Sequence, residues 1–154
     1  MAVTIEQIHK EIDLIQGIIR NMSANSFEVK KWLIGVLTAL IIFKNDELLG
    51  GNTKFIWLLL IPIICFWYLD AFFLSTEKFY REMYDWVNAN RGGTAKYLYD
   101  LKEDKREFPD GIVTQLRKPE NNIWNSAFSK TVWPFYVLPI IFIAIYIFTQ
   151  ASKG

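Results

Sequence analysis

Asp70 is the only charged residue in the twenty positions 55–74, FIWLLLIPIICFWYLDAFFL. A carboxylate in such a stretch is costly to withdraw from water, so it faces a partner charge, the interior of a helix bundle or a water-filled path. Farther along the same helical pattern, Glu77 and Arg81 stand four apart, the spacing at which opposite charges pair on a helix surface. Asp70 lies seven before Glu77, on nearly the same face. The chemistry open to this polar stripe is charge pairing or ion passage, not bond making. Asp70 is four residues from the end of the apolar run, which suits a joint between helices, with Lys30, Lys31 or Asn25 as its partner. A gate or pore lining and a proton path are the other roles open to it.

For an enzyme the inventory is poor. The chain has no G-x-S-x-G, no H-E-x-x-H, no P-loop and no glycine-rich dinucleotide motif. Its single histidine, His9, falls on the exposed side of a helix, and its single cysteine, Cys65, lies within an apolar block. Neither a disulfide framework nor the usual zinc sites can be built from that set. Glu103, Asp104 and Asp110 are loop carboxylates with no matching base. No catalytic residue, metal site or cofactor is expected, and a net charge of +1 gives no pull towards nucleic acid.

The elements that must position the stripe are helices. Hydrophobic residues make up 52% of the 154 positions and fall in blocks, which indicates one mainly α, integral membrane domain. Thr4 and Gln7 match the capping box that opens a helix. Ile5, Ile8, Ile12, Ile15, Ile19 and Met22 then recur at spacings of three and four. That stripe is either the seam of an oligomeric coiled coil or the face that covers another helix of the same chain. The expected order is a cytosolic amphipathic helix at 4–28 and a first membrane helix at 29–49, possessing the same phase and able to continue as one rod. A turn at Gly50, Gly51 and Asn52 folds the chain into an antiparallel hairpin with a second membrane helix at 55–74. Twenty residues suffice to span a bilayer core, and Pro62 should kink that helix. Its cytosolic extension at 75–91 carries Phe79, Tyr80, Met83, Tyr84, Trp86 and Val87, and stops at Arg91, Gly92 and Gly93.

Residues 92–122 are mixed in character, with a balanced charge run at 102–107 and segments at 96–99 and 111–116 that read as short strands or turns. An interfacial helix at 123–131 carrying Ile123, Trp124, Ala127 and Phe128 precedes a third membrane helix at 132–149. Ten Lys or Arg between the second and third segments and four before the first, against two at the hairpin tip and one in the tail, place the N-terminus and residues 75–131 in the cytoplasm and the C-terminus outside. The acidic N-terminal stretch does not read as a cleaved signal.

Two motifs carry a resemblance. Residues 25–32, NSFEVKKW, and 66–85, FWYLDAFFLSTEKFYREMYD, match N-S-F-x-x-K-x-W and F-W-x-L-D-x-x-x-L-x-x-E-x-x-[FY]-R-x-x-Y-D at every fixed position. With the entry to the third segment at 129–136, the chain resembles a family of small bacterial inner-membrane proteins of unassigned activity. The resemblance covers the hairpin well and 94–122 hardly at all, and it carries over no catalytic residue. Such proteins look similar to those encoded beside TIR-like and other antiphage defence genes. This implies an oligomeric inner-membrane effector that permeabilises or depolarises the membrane when a cytosolic defence protein or a small nucleotide signal engages it. The alternative expectation is a non-conducting membrane anchor or scaffold for a cytosolic partner.

Overall fold

The computed structural model describes residues 3–43, 56–102 and 121–152. Four helices occur there: α1 (Ile5–Phe43), α2 (Ile56–Asn90), α3 (Ile123–Ala127) and α4 (Trp133–Ala151). No strand is present among the described residues. The expected turn at Gly50, Gly51 and Asn52, the end of the first apolar segment at 44–49, the charged positions 103–107 and the segment 111–116 lie outside them.

The capping box opens α1. The Thr4 amide donates to Gln7 Oε1 at 3.0 Å and the Gln7 amide donates to Thr4 Oγ1 at 3.3 Å, which satisfies two of the donors that a helix start leaves without partners. The helix then runs 39 residues without interruption, through Ser23, Asn25 and Ser26. The amphipathic and apolar segments of this part of the chain are thus one element. The same holds for α2, whose 35 residues include Pro62 and pass from the apolar run into the charged stretch. Beyond Asn90 the Arg91 amide bonds the Val87 carbonyl at 3.0 Å and the Gly93 amide bonds that of Asn90 at 3.0 Å, where paired glycines end the helix. Residues 96–99 form turns, closed by bonds from the Leu98 amide to Ala95 and from the Asp100 amide to Tyr97.

The chain divides into two compact units. One comprises Met1–Ala24 and Phe73–Asn122, the other Asn25–Phe72 and Ile123–Gly154. In the first, Ile15 is fully buried with Phe79, Tyr80, Met83 and Val87, and Ile12, Ile18 and Ile19 of α1 pack against that cluster. Phe79, Met83 and Val87 recur every four residues and so share one face of α2. The isoleucine stripe therefore covers a helix of its own chain over 12–19. Ile5 departs from the expectation: it is 73% exposed, because no described residue covers the first turn.

In the second unit Val29 and Leu33 of α1, Leu59, Ile63 and Ala71 of α2, Val132 just before α4 and Tyr136 within it are buried. Outward-facing residues in the same helices are also apolar, among them Trp32, Ile42, Trp57, Ile64, Phe142 and Phe148. Among the described residues, α2 is long and apolar enough to cross a membrane by length and composition, with an 18-residue window of mean hydropathy 2.1. The apolar helix Trp133–Thr149 is shorter.

Ile15→Ala should lower stability by about 2–5 kcal/mol, since it opens a cavity at a fully buried position. Ile5→Ala should change it by less than about 0.5 kcal/mol. Thermal unfolding of the purified protein, followed by circular dichroism, separates the two.

Candidate functional site

Asp70 is completely buried in the second unit. Its Oδ2 lies 2.5 Å from Lys30 Nζ, and its Oδ1 accepts a hydrogen bond from Ser26 Oγ. Lys30 in turn donates to Ser26 Oγ at 3.0 Å and reaches the Ser26 carbonyl at 3.5 Å. Ser26 and Lys30 are four apart on α1 and hence on one face, so the serine hydroxyl bridges cation and carboxylate. Oδ2 has no hydrogen bond of good angle, which makes the Lys30 contact chiefly one of charge on charge. The buried Tyr136 hydroxyl of α4 lies close enough to Asp70 to interact with it electrostatically, without a hydrogen bond of normal geometry.

Aromatic rings close one side of this cluster. Trp67, three residues before Asp70, stacks on Tyr136 at 6.0 Å between ring centres and meets Phe128 edge-on at 5.7 Å. Its indole Nε1 donates to the Ala127 carbonyl at 3.0 Å, which ties the end of α3 to α2. A low-polarity surround strengthens the attraction within an ion pair and equally raises the penalty for leaving one member alone.

The other sequence candidates are placed as follows. Asn25 is exposed and stays out of the Asp70 cluster, where the hydroxyl of the adjacent Ser26 acts instead. Lys31 pairs with Glu28 on its own helix. Glu77 and Arg81 lie in the first unit, where Arg81 Nη2 and Nε donate to Glu77 Oε1 at 2.7 and 2.9 Å. Glu77 is buried and Arg81 is 61% exposed, so this pair has water access and is worth little to stability. Beside it, Gln16, Ile19, Arg20, Arg81, Tyr84 and Asp85 line an open cleft of about 430 Å³. His9 is exposed, as is Cys65. No group of three or more His, Cys, Asp or Glu suited to a metal ion occurs among the described residues.

A second buried pair escaped the sequence reading. Glu11 and Arg91, each almost wholly enclosed, meet in the first unit through two bonds, Nε to Oε2 at 2.6 Å and Nη2 to Oε1 at 2.5 Å. This two-point contact is the strong form of an arginine–carboxylate pair. Arg91 also donates to the carbonyls of Lys96 at 2.6 Å and Tyr97 at 3.1 Å, and its guanidinium lies 5.3 Å from the Trp86 ring centre. From the sequence, Arg91 reads only as the stop of α2. The signal for Glu11 was its phase, three after Ile8 and four before Ile15, which sets a carboxylate within the isoleucine stripe.

No family model, curated protein or solved structure matches the chain.

Removing one member of the Asp70 pair should be far more damaging than removing both. Lys30→Met should cost about 3–5 kcal/mol by stranding a buried charge, whereas Lys30→Met combined with Asp70→Asn should recover most of that loss. A double-mutant cycle on thermal unfolding measures the difference.

Proposed function

We propose that the chain is an integral bacterial inner-membrane protein of antiphage defence, built on an antiparallel hairpin and a third membrane helix, that depolarises or permeabilises the membrane on a cytosolic signal. The observation that carries this reading is the Lys30–Asp70 ion pair, held by two helices in an apolar setting. Only 28% of the most apolar window of α2 is buried within the protein. A core helix of a water-soluble protein is mostly covered by its own chain, so this much open apolar surface supports lipid as the remaining solvent.

In this proposal the ion pair is closed at rest. Separating Lys30 from Asp70 leaves two unpaired charges in the hydrocarbon layer, which a bilayer accommodates by drawing in water and thinning. A signal that moves α1 against α2 thereby opens a leak, and several copies assembled together would widen it. The partner is a cytosolic defence protein or a small nucleotide. For the second, the cleft lined by Arg20, Arg81, Tyr84 and Asp85 presents the Arg20 guanidinium and that of Arg81, which is shared with Glu77, to phosphate and a ring to a base.

The alternative is a non-conducting anchor for a cytosolic partner, in which the Asp70 cluster is a static joint. Ser26 and Lys30 already answer the carboxylate within one chain, as a static joint requires. Expression with the neighbouring gene under phage challenge, read with a potential-sensitive dye, tests the effector reading. Loss of potential is expected with the native chain, and full protection at an intact potential overturns it. Asp70→Asn, once shown to be folded and assembled, should change ion flux at least about threefold for an effector, a change of about 0.6 kcal/mol in the opening equilibrium, and leave it unaltered for an anchor.

Orientation is tested separately. In a Cys65→Ser background, a cysteine replacing Asn52 should react with a membrane-impermeant maleimide in spheroplasts, and one replacing His9 only after lysis.

A further inference from the structure

The turn segment that follows α2 is bound to the helix pair of the first unit by contacts of an unusual kind. Tyr97 and Tyr99 have φ of 63° and 60°, the left-handed region that β-carbon crowding makes unfavourable for tyrosine. Such a conformation persists only where the surroundings impose it. Here they are polar. Arg91 gathers the Lys96 and Tyr97 carbonyls, the Tyr99 amide donates to Glu11 Oε1 at 3.1 Å, and the Tyr80 hydroxyl donates to the Leu101 carbonyl at 2.9 Å. The apolar contribution is lateral: Tyr97 and Leu101, both only half-buried, rest against the cluster centred on Ile15, Phe79 and Val87.

We propose that residues 94–101 form a strap, held over the apolar face of the helix pair by its hydrogen bonds to the paired side chains of Glu11 and Arg91, that opens as a unit while α1 and α2 stay together. The two sets of contacts hold with unequal force. The helices are joined by fully buried side chains, whose separation exposes a continuous core. The strap is joined by a few hydrogen bonds to Glu11, Arg91 and Tyr80 and by the half-buried side chains of Tyr97 and Leu101, and its backbone at two positions favours release. Glu11 is the common point, since it binds both Arg91 and the Tyr99 amide. Once the strap opens, the strained residues relax and the surface beside Tyr80 and Trp86 becomes accessible. This device lies in the first unit and does not depend on whether the protein conducts.

Hydrogen exchange of the full chain in detergent micelles, resolved to short peptides by mass spectrometry, tests it. In the native protein, amides of residues 97–100 should exchange at least about 100-fold faster than those around Ile15, Met83 and Val87, the signature of opening below global unfolding. Glu11→Gln should raise the rate in the strap by a further factor of about 10 and leave the helices within about threefold. Arg91→Lys, which keeps the charge and loses the planar fork, should act in the same direction. Equal exchange of strap and helices in the native chain overturns the proposal, and that arm stands even if the variants unfold. An equal acceleration of both regions in Glu11→Gln also overturns it, because the pair would then support the whole core.

Discussion

A carboxylate with no access to water must be answered by a cation, and in the apolar unit Lys30 answers Asp70. The constraint reaches well beyond the two residues. Lys30 is tied back to Ser26 one turn earlier, so the cation sits at a defined height on α1 and cannot follow Asp70 if α2 slides. The Trp67 ring of α2 stacks on Tyr136 of α4 and fixes α3 through the Ala127 carbonyl. Apolar side chains in lipid gain little from choosing one another over acyl chains. Within the membrane reading, the polar cluster is accordingly what selects one packing of these helices over many others of similar energy.

The first unit solves its packing problem differently. There the isoleucine face of α1 and the aromatic face of α2 exclude water from each other, and the hydrophobic effect drives the pairing. Charge enters that core through Glu11 and Arg91, where the guanidinium is enclosed and nearly saturated with acceptors. Arginine suits the position because its fork can serve a carboxylate and backbone carbonyls together, which an ammonium group cannot do with the same geometry.

How far these arrangements could be read beforehand varies from residue to residue. Asp70 was legible because it interrupts an apolar run, and Thr4 with Gln7 because a capping box is a local pattern. Lys30 was one of three candidate partners. What selects it is helical phase: Ser26, Lys30 and Leu33 lie towards the same side of α1, whereas Lys31 is turned towards Glu28 and Asn25 outward. Glu11 with Arg91 was not legible as a pair, since eighty residues separate them and an arginine before two glycines already had a sufficient local explanation. The left-handed tyrosines were hidden for a deeper reason. Tyrosine prefers extended backbone, so only the acceptors and donors supplied from α1 and α2 make those conformations tenable. The isoleucine stripe was recognisable as a face, while its outermost member, Ile5, shows that periodicity continues past the point where anything is packed on it.

The order of charges along the helices has a consequence for chain direction. Reading from N- to C-terminus, α1 presents an acid, Glu11, and then a base, Lys30; α2 and the residue after it present an acid, Asp70, and then a base, Arg91. Run the two in the same direction, and acid opposes acid at one end and base opposes base at the other. Run them in opposite directions, and every charge meets its complement. Apolar faces alone would tolerate either alignment, since a methyl group carries no arrow. Glu11 with Arg91 in the first unit and Lys30 with Asp70 in the second therefore act as a polarity mark written into the helices, a source of direction that apolar faces lack.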